Sequence, residues 1–295
     1  MTTSDATGRR ARAVAAATAV AAAHGVRSAG AEVVHDGVNV VVHLAPAPVV
    51  ARVATLTPLL RPDPGRPFGR EVAVAGGLAA AGAAVVPPSD LLPPGPHEHG
   101  GLTLTFWRHV EVLPTAPGPA EVAAALAALH GVLADLPVTG TPLDTPLDDL
   151  AAFTGRAGDW GVPAAVRARM TERLDRLRPR LAGVPVRPLH GDAHPGNLLA
   201  TPDGWRWTDL EDTCAGPVGW DLACLRSTSR LDGRVALDAM GAPSDAELAP
   251  WLELRRLHGA AWWTVVAAGH PERRERATAV LTEVLAQTSG SAGSR

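Results

Sequence analysis

The sequence predicts an α+β chain of two lobes, a small strand-rich one followed by a larger, mainly helical one. Three observations carry that expectation. Short β-branched runs are concentrated in the first third of the chain. Apolar stripes with helical spacing begin only after Val112. Proline-rich connections, Pro114-Thr115-Ala116-Pro117 and then Pro137 to Pro146, mark the change of character. A chain of 295 residues has room for two lobes with cores of their own. The expected division is residues 1–106 for the first lobe, 107–288 for the helical lobe and 289–295 for a disordered tail.

Taken in order, residues 1–8 are polar and expected to fray, and Ala13 to Ala23 then has strong intrinsic helix propensity. Arg9-Arg10 ahead of this run superficially resembles a twin-arginine leader. The run is alanine rather than leucine, however, and continues without a break into His24-Gly25-Val26. Val40-Val41-Val42-His43-Leu44 and Val49-Val50-Ala51-Arg52-Val53 flank a short turn-forming stretch and read as a hairpin. Glu71 to Gly82 reads as a helix, and Leu102-Thr103-Leu104-Thr105-Phe106 alternates as a strand. Three stripes follow: Val122, Leu126, Leu129, Leu133; Val166, Met170, Leu174, Leu177, Leu181; and Leu254, Leu257, Ala261, Val265, Ala268. Each is the apolar face of a packed helix. There is no fixed-period repeat.

Composition narrows the function classes. A hydrophobic fraction of 46% with 19% charged residues is that of a folded globular chain. A net charge of −3 offers nothing to a nucleic acid. No segment approaches the roughly 20 apolar residues of a membrane span. The two cysteines, Cys214 and Cys224, fit neither a zinc knuckle nor a disulfide framework and agree with a reducing cytoplasm. Every basic residue other than histidine is arginine, so a P-loop lysine is excluded.

The chemistry is concentrated in His190-Gly191-Asp192-Ala193-His194-Pro195-Gly196-Asn197, followed by Asp209 in Trp207-Thr208-Asp209-Leu210-Glu211. A tight loop containing Gly191, Pro195 and Gly196 can aim Asp192 and Asn197 into one cleft. Asp192 supplies a carboxylate that can accept or orient a hydroxyl proton. Asn197 and Asp209 supply the hard oxygen ligands that magnesium prefers. Phosphoryl transfer from a nucleoside triphosphate needs this set.

The pattern H-G-D-x-H-x-x-N with its following aspartate resembles the aminoglycoside phosphotransferase family, small-molecule relatives of the protein kinases. The resemblance implies a bilobal protein-kinase-like fold with the site at the lobe junction. It implies Asp192 as base, Asn197 and Asp209 as Mg2+ ligands, and ATP as donor, with GTP left open. The acceptor is then a hydroxyl of a small molecule, of the aminoglycoside, choline or other alcohol kind. His190 and His194 read as scaffolding, and Asp221 as a helix cap or a tie for the catalytic loop through its amides.

Kinase-like lobes pair a strand lysine with a helix glutamate. Here Arg52 takes the lysine's place and Glu71 is its natural partner. Asp36-Gly37-Val38-Asn39 stands where a glycine-rich phosphate loop is expected, ending on Asn39 but carrying a single glycine. Phe106-Trp107-Arg108-His109 is either the lobe connector, whose backbone at Phe106 and Trp107 reads an adenine edge, or an ordinary strand end. Glu211 and Asp212 either attract a cationic substrate or are solvated. Two rival readings remain. A metal-dependent hydrolase using His190, Asp192 and His194 leaves Asn197, Arg52 and Glu71 without a role. A non-catalytic nucleotide-binding module would be expected to have lost the base or a metal ligand, and none is missing.

Overall fold

The computed structural model describes residues 3–138 and 140–286, so the expected tail at 289–295 lies outside the described residues. The chain forms two compact units. The first comprises Met1–Ala116 together with Asn197–Thr213; the second comprises Pro117–Gly196 and Cys214–Arg295.

In the first unit, helix α1 (Thr3–Ala23) precedes strands β1 (Gly30–Asp36), β2 (Asn39–Ala45) and β3 (Val49–Ala54). Helix α2 (Gly65–Ala80), β4 (His97–His99) and β5 (Leu102–Arg108) follow. The strands form one antiparallel sheet in the order β1-β2-β3-β5-β4. Strand periodicity sorts its two faces. Val40, Val42, Leu44, Val49, Ala51, Val53, Leu104 and Phe106 bury one face against Ala13, Ala17 and Ala21 of α1, whose small side chains allow close approach. Arg52 alternates to the other face, opposite Thr105 on β5.

The helix expected from Glu71 starts six residues earlier, at Gly65. Pro67 lies in its first turn, where a missing N–H costs nothing. α1 likewise begins at Thr3, ahead of the fraying expected through residue 8.

The β7 (Leu198–Thr201) and β8 (Gly204–Trp207) hairpin groups with this first unit for a specific reason. Trp207 donates its N–H to Ala84 (2.9 Å) and accepts from Val86 (2.8 Å), and its side chain is fully buried. The 107–288 stretch is therefore not continuous by contacts: Asn197–Thr213 packs with the strands.

The second unit contains α3 (Pro119–Leu133), α4 (Asp144–Arg156), α5 (Ala164–Leu181), α6 (Gly219–Arg226), α7 (Gly233–Ala239), α8 (Ala249–Gly269) and α9 (Arg274–Ala286). Helix α8 packs against α4, α5, α6 and α9. The stripe residues Leu126, Leu133, Leu254, Leu257, Ala261 and Val265 are at most 1% exposed. Within this unit a short ladder joins β6 (Arg187–Leu189) to β9 (Cys214–Gly216), pairing Leu189 with Cys214. β6 feeds the His190–Gly196 loop, and β9 leads to α6, which carries Asp221.

Candidate active site

In the first unit the β7–β8 hairpin does the positioning. Leu198 pairs with Trp207, and the Thr208 N–H donates to the Asn197 carbonyl (2.9 Å). Asn197 and Asp209 therefore flank the same open end of the hairpin. Asp209 has φ 63 and ψ 55, a left-handed conformation that costs a non-glycine residue about 1–3 kcal/mol.

Arg52 gathers the surrounding carboxylates. Its Nη1 meets Glu71 Oε1 at 2.5 Å, and its Nη2 meets Glu211 Oε2 at 2.6 Å and also pairs with Asp209. Its guanidinium carbon lies 5.4 Å from the centre of the Phe68 ring. Glu71 also accepts the Leu210 N–H at 3.0 Å, which ties α2 to the segment after Asp209. Arg61 binds Glu211 (3.0 Å) and Asp212 (2.6 Å).

Four carboxylates thus share two guanidinium groups, which leaves a surplus of negative charge around the two buried glutamates. Burial, then repulsion from Asp209 and Glu211, overcomes the pull of Arg52 and raises Glu71 to about 8. Burial likewise raises Glu211 to about 7 against the pull of Arg52 and Arg61. Such a surplus beside an Asn carbonyl and an Asp carboxylate fits a hard divalent cation.

The same surplus makes stability depend on pH. Both groups hold protons in the folded state that the unfolded chain, with carboxyls near 4.5, gives up. Their contribution is complete below that value and is lost as pH rises through about 7 to 8. Without metal, Tm should fall between pH 5.5 and 8.5, and Glu71→Gln should flatten the decline. A Tm that rises across this range would refute the assignment.

In the second unit the catalytic-loop candidate is held from beneath. Asp221, fully buried, accepts the N–H groups of His190 (3.0 Å) and Gly191 (2.9 Å) and pairs with His130 Nε2 (2.8 Å). Burial opposes its charge, but the His130 bond first, then the neighbouring histidines and the Gly191 amide, hold its carboxyl below the usual range. The Trp220 indole N–H donates to the Gly191 carbonyl at 2.7 Å, and Gly191 has φ 90, where glycine is favoured. Trp220→Phe removes that anchor. Loss of about tenfold or more in kcat with little change in the KM for nucleotide is expected, and unchanged kcat would show that the anchor is dispensable.

Asp192 meets Arg255 Nη2 through Oδ1 at 2.7 Å and His194 Nε2 through Oδ2 at 3.3 Å. Burial works against its charge, yet Arg255 foremost, then His194 and His190, hold its carboxyl well below the ordinary range. His190 Nδ1 accepts the Asp192 N–H (3.3 Å), and His194 Nδ1 accepts that of Gly196 (2.9 Å). Among the described residues, no group of three His, Cys, Asp or Glu side chains is arranged to hold a metal ion.

The remaining expected site residues are placed as follows. The amide of Asn39 donates to Glu211 (2.9 Å) and accepts from Thr57 (2.8 Å), leaving it 5% exposed. The Gly37 N–H is spent on the hairpin turn, to Asn39 O at 3.1 Å. Phe106 and Trp107 lie inside β5, paired with Ala51 and Val50. The Phe106 N–H goes to Pro94 and its carbonyl accepts from Ser89, so neither is open to an adenine edge. Glu211 is not solvated but buried between Arg52, Arg61 and Asn39, and Asp212 is bound by Arg61. Sequence reasoning does not reach Arg61 or Arg255. Arg61 sits in a proline-rich loop, and Arg255 in a Leu-Arg-Arg run that reads as a solvated helix face, so neither carries a local signal.

Comparison with known proteins identifies the family and the fold. The family model APH, described as "Phosphotransferase enzyme family", matches residues 4–242. A choline/ethanolamine kinase family protein from Mesorhizobium loti aligns with a TM-score of 0.55 at 19% identity, covering 87% of this chain and 91% of that one. APH(2")-IIia, solved with GDP and kanamycin, aligns at 0.62 and 15% identity, covering 88% and 94%. The amicoumacin kinase hAmiN, solved with AMP-PNP, Ca2+ and Ami, aligns at 0.59 and 11% identity, covering 90% and 92%. At these identities the likeness is one of fold.

Proposed function

The chain belongs to the phosphotransferase enzyme family, and from that premise we propose that it transfers the γ-phosphoryl group of ATP to a hydroxyl of a small molecule. The observation that carries this reading is the hairpin end, where Asn197 and Asp209 flank one opening beside the buried Arg52–Glu71 pair. Asn197 and Asp209 hold Mg2+, which when bound neutralises the β- and γ-phosphate charge. Arg52 keeps the cationic role of a strand lysine and adds a fork that serves several acids at once. Backbone groups of Val110–Val112 are suited to read the base. They follow β5, and among the described residues they take part in no other hydrogen bond.

Asp192 orients the acceptor hydroxyl. The hydroxyl oxygen bonds to the γ-phosphorus, the bond to the β,γ-bridging oxygen breaks, and ADP departs. The hydroxyl proton passes to Asp192 and on to solvent. A carboxyl held as low as this one is a weak base, so it orients early and takes the proton late, as a loose transition state requires. An ATP-dependent enzyme whose two cysteines, Cys214 and Cys224, are buried suits a reducing cytoplasm.

The test is an ATP-consumption screen by 31P NMR over hydroxylated acids, amines, sugars and antibiotics. A phosphorylated product formed by the wild type and lost in Asp192→Ala supports the reading. Nucleotide-independent hydrolysis, with stabilisation by zinc and none by Mg-ATP, would favour the hydrolase.

A further inference from the structure

We propose that the acceptor carries an anionic group beside its reactive hydroxyl, as in a small hydroxy acid, and is not a polycation. This rests on Asp192 being the residue that orients the acceptor. The observations that carry it lie in the second unit.

In the second unit Asp192 is flanked by positive charge. Arg255 takes Oδ1 at 2.7 Å from α8, while His194 occupies Oδ2 at 3.3 Å. Arg255 is positioned by the Trp220 ring, 6.0 Å from its guanidinium carbon, and its side chain is 19% exposed. A second arginine reaches the same loop. A Cβ built on Gly196 would lie 2.9 Å from Arg230 Nε and 2.7 Å from His194 Cε1, so the three residues converge there. Arg230 is exposed, and its guanidinium makes no ion pair among the described residues. Two guanidinium groups therefore stand at the loop that carries Asp192. The buried acids of this unit are engaged elsewhere: Asp221 by His130, Asp149 by His258 and Glu253 by Arg173.

Within the first unit, Glu211 and Asp212 are not open acids. Arg52 and Arg61 already bind them. A polyammonium acceptor would set its charges against Arg255 and Arg230. A carboxylate two or three bonds from the hydroxyl instead meets a planar guanidinium fork, which binds carboxylates bidentately.

The probes are glycerate and 3-hydroxybutyrate against ethanolamine and choline, titrated by calorimetry into the full chain at one ionic strength. Each is run with and without Mg2+ and AMP-PNP. The hydroxy acids should bind at least tenfold more tightly than the amines. Arg230→Met should reduce that preference several-fold. Arg255→Met should abolish it and Arg255→Lys should partly restore it, with Tm measured to show that each variant folds. Amines binding as tightly as the acids, or no probe binding at all, would overturn the proposal. So would arginine variants that lose AMP-PNP affinity but keep the acid preference, since the arginines would then serve the nucleotide phosphates. Failure of the parent reading is separate: it appears as absent Mg2+-dependent AMP-PNP binding before any acceptor is added.

Discussion

Asp192→Asn should lower kcat by about 10²–10⁴, the range a positioned acid–base group contributes, while the KM for nucleotide and Tm change little. The substitution keeps the shape of the side chain. It removes the charge that orients the hydroxyl and receives its proton. The fold should tolerate it because the loop is held by other atoms: Asp221 grips the His190 and Gly191 amides, and Trp220 grips the Gly191 carbonyl. Arg255, the partner left behind, is 19% exposed and can regain water. Steady-state kinetics with any active acceptor checks this. A variant retaining more than a tenth of wild-type kcat would place the proton-handling group elsewhere.

Arg52→Met should be the most damaging substitution for stability. Removing one partner of a buried ion pair costs about 3–5 kcal/mol, because the remaining charge is left uncompensated. Here Glu71 and Glu211 would both lose their principal counter-charge, and Asp209 would lose a partner at the hairpin end. The loss should appear as a lower urea midpoint at pH 8. It should shrink at pH 5.5, where the raised carboxyls are protonated and need no counter-charge. Arg52→Lys should fall between, since one ammonium cannot reach three acids in the geometry of the fork. A pH-independent loss would mean that packing on Phe68, rather than charge, is what Arg52 contributes.

The parts of the site that lie close together in sequence were legible there. The 190–197 loop and Asp209 stand close enough that residue type and spacing alone suggest their chemistry. α1 and the three stripes were legible because helical burial leaves a regular period. The elements that leave no clean sequence signal share physical causes. α2 and α4 carry Pro67 and Pro146 in their first turns, where proline starts helices rather than breaking them. β1 is a sheet edge with no fully buried position, so it lacks the clean alternation of β2. The hydrogen bonds of Asn39 and Glu211 have no sequence signal because their partners lie 18 to 172 residues away. Arg255 shows the same limit: 63 positions beyond Asp192, it is brought to the carboxylate only by the packing of α8.

The central claim is that the hairpin end carrying Asn197 and Asp209 holds the metal on which nucleotide binding depends. Calorimetric titration of AMP-PNP into the wild type and Asp209→Ala, with and without Mg2+, tests it most directly. Tight binding should require Mg2+ in the wild type, and in Asp209→Ala it should fall to the metal-free level. Affinity that ignores magnesium, or that survives Asp209→Ala unchanged, would contradict the account.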